Sequence, residues 1–171
     1  MAALRPATRA DLIAINDIVN HYIRETTVNW SWSERPMAEA EAWFAGHGGP
    51  RYPVYVAEED GEVVAFGSLS PMRPKDGYWP VAENTLYVRP DCRGRGLGRL
   101  LMERLIADGR ASGLWAISAW ITDDNDASIR LHQKLGFYEN GRLAHIGEKF
   151  GQPLSVVIMQ LDLQKGNESN E

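Results

Sequence analysis

The stretch RPDCRGRGLGRLL, residues 89–101, holds residue types at a spacing suited to binding chemistry. Gly94, Gly96 and Gly98 alternate with Arg93, Arg95, Leu97 and Arg99, directly before an apolar helical pattern. Glycines at such a point let backbone N–H groups converge without side chains in the way. A helix start adds unpaired N–H groups and the positive end of the dipole. Together they form a nest for an anion, and a phosphate is the usual occupant. Spacing removes two owners of that phosphate. The dinucleotide fingerprint G-x-G-x-x-G needs a third glycine where Arg99 stands. The P-loop G-x-x-x-x-G-K-[ST] needs glycine at that same place, followed by Lys-Ser or Lys-Thr. A basic strand-to-helix turn without a ligand is the competing reading.

Other groups able to do chemistry are scattered. Glu83 opens the strand-like ENTLYV, where alternation places Glu83, Thr85 and Tyr87 on one face and Asn84, Leu86 and Val88 on the other. By itself a carboxylate at a strand start reads as a solvated one. The loop RPKDGY offers Arg73, Lys75 and Tyr78, or simply an exposed basic surface. Asn125 and Ser128 have the residue types of a helix cap. Cys92 has no base at motif spacing and is not read as a nucleophile. Trp30 and Trp32 serve either as pocket walls or as core.

The elements that position these groups follow from periodicity. LRPA reads as a short strand. TRADLIAINDIVNHYI reads as a helix with a capping-box start at Thr8 and Asp11 and an apolar face of Leu12, Ile15, Ile18, Val19 and Tyr22. SERPMAEAEAWFAGHGG reads as a second helix with Pro36 in its first turn. YPVYVAEE and EVVAFGSLSP flank the turn pair Asp60-Gly61, a hairpin signal. ENTLYVRP is a strand, and the glycine loop feeds a helix with a stripe of Leu97, Leu100, Leu101 and Leu105 and a cap at Gly113. LWAISAWIT is a strand, DDNDASIRLHQKLG a loop and short helix, and two strands follow around a turn at GQP. The strand–helix–strand unit over residues 84–121 implies a parallel pair with a right-handed crossover, while the hairpins imply antiparallel pairs. The fold class expected is α/β: one domain over residues 1–165 with a mixed sheet, then a flexible tail at 166–171.

Bulk properties set limits. The 171 residues suffice for one domain with a core, and 44% hydrophobic and 24% charged residues are ordinary for a globular chain. A net charge of −5 argues against nucleic acid as main partner, which needs a broad basic face. It leaves room for a small basic pocket from Arg93, Arg95, Arg99 and Arg104. A single cysteine fits a reducing cytoplasm. No signal-peptide core or membrane span is read, so a cytoplasmic protein without a membrane partner is expected. No metal is expected.

Two segments together resemble a known superfamily. Arg93-x-x-Gly96-x-Gly98 after a strand resembles the [RQ]-x-x-G-x-[GA] acyl-CoA loop of GNAT acetyltransferases, and NDASIRLHQKLGF resembles their N-x-x-[AS]-x-x-x-[YH]-x-[KR]-x-G-F segment. IVNHYIRETTVNW, RYPVYVAEEDGEVVAF, AENTLYV and GEKFGQPLSVVIMQLDL are similar to the phosphinothricin and methionine sulfoximine N-acetyltransferase branch, over roughly residues 3–163. The resemblance implies the GNAT fold, with a central splayed sheet flanked by helices, and direct acetyl transfer from acetyl-CoA to the α-amine of such an amino acid analogue.

The resemblance also implies roles. Glu83 is the general base, directly or through water, best served if burial raises its pKa. His132 stands where the branch carries histidine as proton donor to the leaving thiolate; a hydrogen-bonded structural histidine is the alternative. The arm of acetyl-CoA is expected against the main chain of Leu86, Tyr87 and Val88, with Asn125, Ser128 and His132 beside it. Its pyrophosphate is expected on Arg93, Gly94, Arg95, Gly96, Leu97, Gly98 and Arg99. Trp30, Arg73, Lys75, Tyr78 and Glu83 are expected at the amine substrate. Gln152-Pro153 after Lys149-Phe150-Gly151 departs from the branch, where an aromatic and an acidic or amide residue are common, and this bears on the substrate. A homodimer is implied by analogy. Two other functions remain open: acetylation of protein N-termini, lysines or polyamines, and a non-catalytic acyl-CoA sensor.

Overall fold

The computed structural model describes residues 2–164. The expected tail at 166–171 lies outside the described residues. Eleven main elements follow in the order β1 (Ala3–Pro6), α1 (Leu12–Glu25), α2 (Met37–Ala45), β2 (Val54–Glu59), β3 (Glu62–Pro71), β4 (Val81–Val88), α3 (Leu97–Ala111), β5 (Ala116–Thr122), α4 (Asp126–Lys134), β6 (Tyr138–Lys149) and β7 (Gln152–Asp162). The seven strands form one mixed sheet in the order β1-β2-β3-β4-β5-β7-β6. Only β4 and β5 run parallel, joined by α3, and every other pair is antiparallel. This is an α/β domain.

Helices cover both faces. On one, the apolar stripe of α1 (Leu12, Ile15, Ile18, Val19, Tyr22, Ile23) packs on Val56 and Phe66. On the other, Leu97, Leu101, Met102, Leu105 and Ile106 of α3 join Leu69, Ala82, Ile117, Phe137 and Met159. The hairpin turn sits at Asp60 and Gly61 with φ of 50° and 82°, the left-handed pair that a two-residue turn demands.

Two local readings need correction. Leu100 is not in the α3 stripe; it is exposed, and Met102 and Ile106 fill the buried face. The last turn is Phe150-Gly151, with φ of 53° and 73°, while Gln152 and Pro153 already belong to β7 opposite Lys149 and Glu148.

Candidate active site

β4 and β5 pair only at Val81–Ala116, Ala82–Ile117 and Glu83–Ser118. Beyond that point they part. β5 continues against β7 as far as Thr122–Val156, and β4 continues against β3 as far as Val88–Ala65. The gap is a consequence of a parallel pair that stops early. Arg89 N–H donates to Val64 O at 2.8 Å, toward β3. Alternation therefore turns the main chain of Glu83, Thr85 and Tyr87 to β3, and that of Asn84, Leu86 and Val88 into the gap. The Val88 carbonyl accepts from the Tyr22 hydroxyl at 2.6 Å. Among the described residues, the main-chain groups of Leu86 meet no partner on that side. An extended, amide-bearing arm fits such an edge as an added strand would. Tyr87 offers its ring rather than its main chain.

The glycine loop lies at one end of the gap. Arg93, Gly94, Gly96, Leu97 and Gly98 line one cavity with Leu86, Val88, Asn125 and Ser128. Gly94 and Gly96 take φ of 76° and 82°, a conformation that favours glycine. Gly98 serves packing instead: a Cβ there would stand 3.1 Å from Leu131 Cδ2 and 3.4 Å from Leu86 Cδ2. Among the described residues no N–H from Arg93 to Arg99 donates to another protein atom, whereas Leu100 N–H donates to Gly96 O at 3.0 Å. A run of unpaired N–H groups at a helix start fits a pyrophosphate. Of the loop arginines only Arg93 faces the cavity, with its guanidinium 5.2 Å from the Tyr22 ring centre. Arg95 bonds Glu59 and Arg99 bonds Glu103, while Arg104, farther along the helix, bonds Asp108. All three pairs lie on the exposed surface, and Arg93 is the arginine that lines the cavity.

At the other end Glu83 and His132 line a common cavity with Asn84, Leu86, Trp120 and Ser128. They approach from opposite faces of the sheet. Glu83 shares the face of Tyr87, whose ring stacks on Phe66 at 5.6 Å. Burial pushes the Glu83 carboxyl up from its ordinary value; Arg73, with Nη1 3.5 Å from Glu83 Oε2, works against it. His132 comes from α4 on the other face and is 2% exposed. Its Nδ1 bonds the Ser128 carbonyl at 2.8 Å, and Asn84 Nδ2 stands 3.1 Å from Nε2. Burial pushes its pKa down, with the Ser128 bond opposing. A carbonyl only accepts, so the proton of the neutral ring is on Nδ1.

A third cavity is lined by Val28, Asn29, Trp30, Tyr87, Trp120, Thr122, Ile146 and Val156. Trp30 is fixed by Nε1 donating to Thr122 Oγ1 at 2.9 Å and by its ring lying over Gly147. The segment carrying it is tied down by Lys149, whose Nζ donates to the carbonyls of Ile23, Thr26 and Asn29 at 2.6, 2.8 and 2.6 Å. Arg73 lies 4.8 Å from the Trp120 ring centre. Lys75 and Tyr78 are not brought in. They sit exposed beside a short turn at Asp76–Tyr78, outside the three cavities. Trp32 is 77% exposed and bonds the Glu148 carbonyl, at the rim. Sequence reasoning missed Trp120, Asn84 and Val28. The alternation of LWAISAWIT places Ser118, Trp120 and Thr122 on one face and was a usable signal for Trp120; nothing local marked Asn84 or Val28.

Comparison with known proteins identifies the family. The profile of the acetyltransferase (GNAT) family matches residues 15–137. The chain is 40% identical over 163 residues to the L-methionine sulfoximine/L-methionine sulfone acetyltransferase of Pseudomonas paraeruginosa, covering 95% of each. It is 36% identical to a phosphinothricin N-acetyltransferase of Streptomyces coelicolor, over 87% of this chain and 89% of that one. Among solved structures, a GNAT superfamily phosphinothricin acetyltransferase of Sinorhizobium meliloti in complex with acetyl-CoA superposes with a TM-score of 0.92 at 30% identity, over 97% of this chain and 90% of that one.

Proposed function

The chain belongs to the acetyltransferase (GNAT) family, and we propose that it acetylates the α-amine of phosphinothricin, methionine sulfoximine or a related amino acid analogue by direct transfer from acetyl-CoA. The observation that carries this reading is the pair Glu83 and His132 on opposite faces of one gap, with Arg73 beside the carboxylate. The names of the relatives support the substrate class.

Acetyl-CoA supplies an acetyl thioester as cosubstrate. In this reading Arg93 and the loop N–H groups hold its pyrophosphate. Leu86 and Val88 hold its arm through their main chain, with Asn125 and Ser128 beside it. Glu83, half-buried and raised in pKa, takes the proton that the attacking amine must lose, directly or through one water. Arg73 pairs with the anionic part of the substrate, and Trp30, Trp120 and Val28 shape its pocket. His132 gives a proton to the departing thiolate; because its Nε2 carries none in the neutral form, it must first be protonated there. The free edge of β6, where Leu143, Ile146 and nearby Phe150 are 40%, 49% and 60% exposed, supports a homodimer through this hairpin. The pairing of Arg95, Arg99 and Arg104 with acids supports the absence of a nucleic-acid partner. The single buried thiol, Cys92, suits the cytoplasm.

The test is an amine panel with acetyl-CoA, read by release of free CoA. Turnover with phosphinothricin, methionine sulfoximine or methionine sulfone is expected. Turnover only with peptides, lysine or polyamines overturns the substrate class, and tight CoA binding without turnover of any amine overturns the enzyme reading.

A further inference from the structure

We propose that Asn84 is a positioning residue that governs which nitrogen of His132 carries a proton. The inference rests on the reading of His132 given above. The Ser128 carbonyl at 2.8 Å keeps a hydrogen on Nδ1 in every state of the ring. The state of Nε2 is therefore the variable one, and Asn84 is the side chain that meets it, with Nδ2 at 3.1 Å. In this orientation the amide donates and Nε2 accepts, an arrangement that suits the neutral ring. The amide is not satisfied by the arrangement. Its Oδ1 is buried without a partner, while its nitrogen also approaches Met102 Sδ at 3.5 Å.

Turning the amide by half a revolution about its last bond brings Oδ1 to Nε2. An acceptor there suits only a ring protonated at Nε2, which with Nδ1 still bonded to Ser128 is the imidazolium. One side chain thus supplies the correct partner for both protonation states of a buried histidine. No charged group does this work. The ring meets Phe137 edge-on at 4.9 Å, and α3 presents the thioether of Met102. Asp126, Arg130 and Lys134 of α4 are exposed. β5 offers Ala119 and Ile121 to this cavity, and Glu83 of β4 lies on the opposite face. Among the described residues no acid or base hydrogen-bonds the ring.

In the reaction the amine nitrogen bonds the acyl carbon and the carbon–sulfur bond breaks. The amine proton goes to Glu83. The sulfur takes the Nε2 proton of the imidazolium, which leaves the ring neutral, and the Asn84 amide turns its nitrogen back to Nε2. Solvent protons reset both groups before the next turnover.

Two variants separate this role from a packing role because they push the ring in opposite directions. Asn84→Asp places a permanent acceptor at Nε2, and the His132 titration followed by imidazole nitrogen NMR moves to higher pH. Asn84→Leu leaves both ring states unpaired; the imidazolium loses the stronger, charge-assisted bond, and the titration moves to lower pH. The limb of the kcat–pH profile that belongs to His132 moves with each, while KM for acetyl-CoA stays within about threefold and kcat for Asn84→Leu at alkaline pH falls by about tenfold or more. Unchanged titration and unchanged Nε2 protonation in both variants overturn the proposal. If Asn84→Asp does not fold, Asn84→Leu alone decides by the same readout. Titrations that move while the kcat profile stays fixed uphold the Asn84 assignment and overturn the donor role of His132.

Discussion

Replacing Glu83 by glutamine tests the chemistry with the least disturbance of shape. The amide is nearly isosteric but takes no proton. A positioned general base is worth about 100- to 10,000-fold, or about 3–5 kcal/mol of barrier. The structure places the effect in the lower part of that span. The Glu83 side chain is 34% exposed, so water reaches the same spot and serves as a poorer base. A fall in kcat of about 100- to 1,000-fold is expected, with KM for acetyl-CoA within about threefold, since the glycine loop is untouched. The assay is release of free CoA under saturating acetyl-CoA across a pH series. The sign of the pH effect follows from burial. The carboxylate form accepts the proton, and its pKa is raised, so kcat/KM of the wild-type protein falls as pH drops through that raised value. The glutamine variant has no such limb. Arg73→Met removes the cation 3.5 Å away, which raises the carboxyl further and moves the limb to higher pH. A glutamine variant within about threefold of wild type at every pH refutes Glu83 as base.

Three further outcomes follow from packing and charge. Lys149→Met strips one cation from three carbonyls; a loss of about 3 kcal/mol is expected in thermal or denaturant unfolding, and an unchanged midpoint refutes the clamp. Gly147→Ala puts a Cβ 2.6 Å from the Trp30 ring, so the indole is displaced: stability falls by about 1–3 kcal/mol, and KM for the amine rises while KM for acetyl-CoA does not. Asp11, held by Arg5 at 2.8 Å and pulled down to about 2, contributes stability that is complete above its unfolded value of 3.8 and lost as pH falls through about 2. The gap between wild type and Asp11→Asn in unfolding free energy, at most about 2 kcal/mol at neutral pH, is expected to close with acidification; a gap independent of pH removes the ion pair as its cause.

The glycine loop, the Asp60-Gly61 hairpin, the strand–helix–strand unit and the order of elements were all legible because each rests on residues a few positions apart. Backbone conformation is local: a left-handed turn needs glycine, and an amphipathic face needs its period. Leu100 shows where such reasoning stops. It satisfies the stripe by spacing, yet the neighbouring helix and sheet leave that side of α3 uncovered. Arg95 is a second case: Glu59, which it meets at 3.1 Å, lies 36 residues away in the chain.

By itself the sequence determined the α/β order and a glycine-rich helix start suited to an anion, and its resemblance to a family singled out Glu83 and His132 as candidates. Only the tertiary structure decided how those residues meet. The parallel pair stops at Glu83–Ser118, and that early stop opens the gap between them. Asn84 lies 48 residues from His132 in the chain, and Lys149 lies 120 or more from the carbonyls it binds. Burial sets the direction of the Glu83 and His132 shifts, and burial is a property of everything packed around a group. Spacing along one chain carries local geometry; solvent exclusion and long-range hydrogen bonding exist only once the sheet has closed over its helices.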